Sequence, residues 1–301
     1  MTPWTKNDLQ RLDVKYANEG VHLHQRPFRA ATELLGSAFV LGVGGNPEVQ
    51  KITAAYEAMF PETNASWPGA GIGLAASVDR VRKVTLPVVF GTCAIQAWQA
   101  TGFESAEEWW DWCRKDHDIG SQSSFAFADL HDFAYGLNEA QEGSAEALTL
   151  WRMARSNLED AANTLPTTFS VDSVIQPICM VAELSLKGVL VWDGTDPKSF
   201  KGKDGHNLKL LADRVATARP HRDDPFVAEV VANLPPYVDS RYKPAGLTRL
   251  AVVRLAMGVQ FTAASTLRRI TSTDFAAEME TGGWPAPRRP FFPVERKPQA
   301  V

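Results

Sequence analysis

The sequence predicts an all-α protein, a helical bundle built in two packed parts. Three stretches carry that reading. Ala147, Trp151, Ala154, Leu158, Ala161 and Leu165 recur at alternating steps of three and four, the seam of an amphipathic helix. Val174, Ile175, Ile178, Ala182, Leu186, Val189 and Leu190 mark a second apolar stripe, and Leu250, Val253, Met257, Phe261, Ala264 and Leu267 a third.

The composition supports a packed core. Of 301 residues, 45% are hydrophobic and 22% charged, enough material for one large domain or two ordinary ones. A net charge of −4 excludes a chain that binds polyanions over its whole surface. The three cysteines, Cys93, Cys113 and Cys179, form no Cys-x-x-Cys pair, which argues for a reducing compartment and against a disulfide framework or zinc ribbon. The first residues are polar and open no apolar run. Neither a signal peptide nor a membrane-spanning segment is expected, and the chain reads as cytoplasmic.

In chain order, residues 5–24 show no clean period and end at His22-Leu23-His24. Two histidines two apart suit either metal chelation on a strand or ordinary packed roles; with no third ligand nearby, no metal or other cofactor is expected. Phe28–Leu41 reads as a helix. The glycines of residues 42–45 lack the preceding strand and the Gly-Lys-Ser/Thr of a phosphate loop, so they read as a connector, with Asn46 capping the next helix and Pro47 in its first position. That helix runs to Met59. Pro61–Gly73 is a loop. Leu74–Phe103 reads as a helix broken at Pro87, with a short strand over Val84–Phe90 as the alternative. Ser105-x-x-Glu108 opens a helix bearing Trp109, Trp110 and Trp112, which suit helix packing or base stacking. Phe125–Leu137 follows as a short helix, with His131 beside Asp132.

The polar run Asn138–Gly143 is the expected boundary, dividing residues 1–138, a helical part of no recognisable role, from a second bundle over 144–272. Ser144 opens its first helix and Pro166 ends it, so that helix should pair with the one over Val174–Val191. Pro177 falls near the start of the latter, where few hydrogen bonds are lost. A loop, Trp192–Gly205, precedes a helix opened by His206. Residues 197–222 carry Lys198, Lys201, Lys203, Lys209, Arg214, Arg219 and Arg222, the best anion-binding candidate in an acidic chain, or else a solvated face. Phe226–Leu234 is a short helix and Leu247–Ile270 the last. From 273 to 301 a Pro/Arg-rich tail reads as extended, free to dock on a partner or on its own bundle.

Glu183 and Lys187 stand four apart on one helix face, in the favourable order. They are followed by His206 with Leu208 and Leu211, then by Arg241-Tyr242-Lys243-Pro244. This order of motifs resembles the HEPN family, small α-helical domains of prokaryotic toxins, defence systems and the C-terminal halves of some nucleotidyltransferases. The resemblance covers roughly residues 144–272, and Lys243 interrupts the family's Arg-Tyr-Pro element. No Asp-x-Asp follows Gly36-Ser37, so a fused nucleotidyltransferase is not expected. The resemblance implies a ligand site of Glu183, Lys187, His206, Arg241 and Tyr242. It also implies an RNA- or nucleotide-binding accessory protein of a defence or toxin–antitoxin system, working with a protein partner or as a homodimer, without nuclease activity of its own. Many members are metal-independent RNases through Arg-x(4–6)-His. Arg214 and His221 meet that bare spacing, the arginine to stabilise phosphorane-like charge and the histidine to move the 2′-hydroxyl proton. His206 with Arg241 is an alternative pair. Val215 after the arginine and Pro220 before the histidine depart from the motif's usual setting. A structural or dimerisation module is the third reading.

Overall fold

The computed structural model describes residues 4–39, 46–61, 69–88, 94–236, 244–282, 284–285 and 287–292, with twelve α-helices and one two-stranded sheet among them. The all-α expectation holds, with a β-hairpin added. The chain forms two compact units, Met1–Pro68 and Gly69–Val301.

In the first unit, α1 (Lys6–Asn18), α2 (Arg26–Leu35) and α3 (Pro47–Met59) close on Leu9, Leu12, Tyr16, Ala31, Leu35 and Ile52. The stretch without a clean period is therefore a helix. Thr5 caps it: its hydroxyl accepts from Asp8 N at 3.3 Å, and the Asp8 carboxylate accepts from Thr5 N at 2.9 Å. Helix α2 stops at Leu35 rather than Leu41, because Gly36 takes φ +53°, open to a residue without Cβ. Asn46 and Pro47 open α3 as expected; the glycines at 42–45 lie outside the described residues.

The second unit begins with a hairpin, β1 (Gly71–Ser77) and β2 (Arg80–Leu86), antiparallel from Gly71↔Leu86 to Ser77↔Arg80. It corrects the helix expected from Leu74 onward. β1 is buried on both faces, so it shows no alternation, and its turn, Val78-Asp79, lacks the Asn-Gly signature; Val78 takes φ +60°, rare for a β-branched residue. Gln260 anchors the strand. Its side chain accepts from Leu74 N (2.8 Å) and donates to the carbonyls of Leu74 (3.1 Å) and Ala126 (2.7 Å). Short helices α4 (Ala97–Ala100) and α5 (Ala106–Trp112) follow. Trp109 is buried there and donates to Ser123, a packing role.

Helices α6 (His117–Glu139), α7 (Ala145–Thr164), α8 (Ile175–Trp192), α9 (Leu208–Ala218), α10 (Asp224–Asn233) and α11 (Arg249–Arg268) make the bundle. Every residue of the predicted α7 seam is buried. The α7–α8 pair is antiparallel, with Trp151 against Gly188 and Gly143 against Trp192. A Cβ on Gly188 would sit 2.6 Å from the Trp151 ring, so glycine is what lets these helices close. Helices α8 and α11 are long and apolar enough to cross a membrane, but 83% of each such window is buried inside the bundle. The boundary expected at Asn138–Gly143 falls inside this unit, as a polar turn between α6 and α7. A short polar turn and an inter-domain linker look alike in sequence, because both must solvate their backbone.

The described residues after Thr273 are not loose. Residues Phe275–Thr281 form α12, and Phe291 and Phe292 pack on the core with their N–H groups donated to Glu229. The organising centre is Arg268, with no side-chain exposure. It meets Asp132 (2.8 Å) and Asp129 (2.7 Å) of α6 and Asp223 (3.2 Å) just before α10. Asp132 also accepts from Phe275 N and Ala276 N, and Arg288 of the tail meets Asp129 at 2.7 Å. Burial would raise the Asp132 and Asp223 carboxyls, but hydrogen bonds from His131 and His221 respectively and the Arg268 charge hold both below their ordinary 3.8. Burial wins at Asp129, which is raised despite Arg288 and Arg268.

Removing Arg268 takes the shared cation from three buried carboxylates, of which Asp129 keeps a second close arginine, Arg288. Arg268→Ala is expected to cost roughly 3–5 kcal/mol in urea unfolding; a loss under about 1 kcal/mol would show that the cluster is not integral to the fold. The two depressed carboxyls bind protons more readily in the unfolded chain. Their contribution is present above the ordinary carboxyl range and lost as pH falls through the folded values. Stability should therefore decline on acidification, with a shallower decline in Asp132→Asn and Asp223→Asn and a steeper one in Asp129→Asn, whose shift has the opposite sign.

Candidate functional site

Helix α8 is apolar nearly throughout, and Glu183 and Lys187 are its two buried charges, at 2% and 10% side-chain exposure. Lys187 Nζ donates to Glu183 Oε1 at 2.6 Å. Across the loop, His206 Nδ1 lies 3.1 and 3.2 Å from the two oxygens of the same carboxylate. Three of the predicted ligand residues thus converge, and Glu183 ties α8 to the turn before α9.

The loop is built to reach that carboxylate. Asp196 caps a 3-10 turn over Pro197–Phe200, accepting from Lys198 N at 2.8 Å. A second 3-10 turn, Lys203–His206, folds back so closely that a Cβ on Gly205 would lie 1.8 Å from the Phe200 carbonyl oxygen. Phe200 is buried beneath two cations, Lys187 Nζ at 5.4 Å and the Arg214 guanidinium at 5.6 Å from its ring centre. His206 does not open α9. Asn207 caps it, its side chain accepting from Leu210 N at 3.1 Å, which leaves His206 one residue earlier and turned to Glu183.

The structure divides the basic segment. Arg219 is neutralised by Asp193, and Arg222 by Asp274 and Glu280. Lys198, Lys201 and Lys209 are exposed, and neither they nor Arg214 have a carboxylate partner among the described residues. Asp204 and Asp213 share the segment without pairing to them.

Arg241 and Tyr242 lie outside the described residues. Among those described, Arg214 and His221 share no polar contact. Arg214 sits on Phe200, whereas the His221 ring is engaged in its own turn, with Nδ1 3.2 Å from Asp223 N and 3.4 Å from Asp223 Oδ2. No group of three or more metal-ligating side chains occurs among the described residues, and the His22 and His24 rings stack 5.8 Å apart. Burial pushes the Cys113 and Cys179 thiols up to about 12, so neither is a ready nucleophile at neutral pH.

Sequence reasoning missed the ion cluster on Arg268 and the histidine that it orients. His131 Nδ1 lies 3.0 Å from Asp132 Oδ1, and its ring is flanked by Tyr135 and Phe275 at 4.8 and 5.1 Å. The adjacency of His131 and Asp132 was visible; the arginine, 136 residues away, was not.

Lys187→Ala takes the cation from the buried Glu183 carboxylate, with an expected loss of roughly 3–5 kcal/mol. The double replacement Glu183→Gln with Lys187→Met should lose much less. Equal losses in urea titrations would mean that the pair contributes only by packing.

No family model, no curated protein and no solved structure matches this chain.

Proposed function

We propose that this chain is a nucleotide- or RNA-binding accessory protein with a HEPN-like helical domain over about residues 144–272, acting in the cytoplasm in a prokaryotic defence or toxin–antitoxin system. The observation that carries this reading is the set of uncompensated cations beside His206. Among the described residues Lys198, Lys201, Lys209 and Arg214 have no carboxylate partner, while their neighbours Arg219 and Arg222 do. Cations without internal partners are free to displace counterions from a phosphate backbone. The buried Glu183–Lys187 pair below them holds His206 in place, which supports a binding role for that histidine. A protein partner or a second copy of the chain belongs to the same proposal.

The site is read as binding without cutting. In-line attack by a 2′-hydroxyl needs a proton acceptor and a charge stabiliser on one phosphate. Arg214 and His221 lie against different neighbours, Phe200 and Asp223, and share no polar contact among the described residues.

The test is RNA retention and cleavage in EDTA. Wild type should retain RNA and release no 2′,3′-cyclic phosphate ends. Retention should fall between about 50 and 200 mM salt, and Lys201→Glu with Lys209→Glu should reduce the slope of log affinity on log salt by about one to two. His206→Ala should weaken retention. Cleavage abolished in His221→Ala would replace this reading with a metal-independent ribonuclease. The absence of both retention and cleavage would leave a structural or dimerisation module.

A further inference from the structure

Away from the basic segment, a cavity of about 660 Å³ opens between the end of β2, helix α6 and helix α12. That lies within the range of roughly 300–1,000 Å³ usual for small-molecule sites. Its walls include Phe127, Tyr135 and Phe275, and His131 faces it from α6.

The imidazole is held from three sides. Tyr135 and Phe275 flank the ring, and Asp132 takes Nδ1. Asp132 is an acceptor at every other contact, from Arg268 Nε at 2.8 Å, Phe275 N at 2.8 Å and Ala276 N at 3.1 Å. The shared proton therefore belongs to Nδ1, which makes Nε2 the acceptor of the neutral imidazole. Nε2 has no hydrogen-bond partner among the described residues, and the side chain is 30% exposed. An imidazole fixed in one tautomer by a buried carboxylate, with its other nitrogen open to a cavity, is arranged to accept a hydrogen bond.

The charge of the cavity narrows the ligand. Among the described residues no Lys or Arg lines it. Asp274 is committed to Arg222, but Glu278 is exposed and has no cationic partner among the described residues. Anions are disfavoured and a positive group is favoured. We propose that this cavity is a second ligand site, taking a small aromatic molecule that is neutral or cationic and donates a hydrogen bond to Nε2 of His131. The site stands apart from the RNA-binding reading, and either can fail alone.

Three probes separate the requirements: tyramine carries a phenol and an ammonium, phenethylamine lacks the hydroxyl, and 4-hydroxyphenylacetate reverses the charge. In ligand-observed NMR titrations of the full chain, tyramine should bind saturably, and each of the others about tenfold more weakly. His131→Gln should reduce tyramine to the level of phenethylamine. Glu278→Gln, a change at an exposed position, should erase the preference over 4-hydroxyphenylacetate. Lys201→Glu should leave tyramine binding unchanged. Long-range ¹H–¹⁵N correlation should show Nε2 of His131 without a proton near neutral pH. A protonated Nε2, no saturable tyramine binding, or equal affinity for all three probes would each overturn the proposal.

Discussion

The guanidinium of Arg268 is the interaction on which the second unit depends. It is fully buried at the end of α11, and its nitrogens reach Asp129 and Asp132 of α6 and Asp223 before α10. A charge in that position is stable only while its partners surround it, since stripping one side leaves ions in a medium that solvates them poorly. The cluster therefore sets the relative position of three helices more sharply than apolar contact does, because hydrocarbon surfaces slide at little cost and charge-assisted hydrogen bonds are directional. Arg288 extends it to the tail, where its guanidinium lies 4.4 Å from the Phe125 ring centre and 4.6 Å from that of Phe261.

The same cluster links architecture to chemistry. Asp132 is shared between Arg268, the start of α12 and His131. The residue that fastens α12 to the bundle thus also fixes the histidine tautomer. The candidate anion site repeats this logic with other residues. Glu183 is buried, satisfied by Lys187 and His206, and through them connects the core of α8 to a surface loop. In both places a buried carboxylate positions a histidine whose side chain is partly exposed.

Much of the bundle was legible because its signals are local. The α7 seam, the Ser144 cap, the Asn46-Pro47 start and the stripes of α8 and α11 depend on residues within one or two turns of each other. The Glu183–Lys187 pair belongs to the same class, being one helical turn apart. The hairpin was hidden because β1 is buried on both faces and turns without glycine or asparagine. Its first strand is anchored by Gln260, a residue 186 positions from Leu74.

The sequence by itself determined the long helices of the bundle, where several of them are capped, and that Glu183 and Lys187 share a face. Only the tertiary structure decided which charges are spent inside the protein and which are left at its surface. Arg219, Arg222 and Lys209 look alike along the chain. Arg219 and Arg222 are answered by Asp193 and by Asp274 with Glu280, whereas Lys209 is left exposed. Periodicity is a property of neighbours, so a sequence displays it. Neutralisation depends on carboxylates brought from distant segments by packing, and no local pattern encodes their arrival.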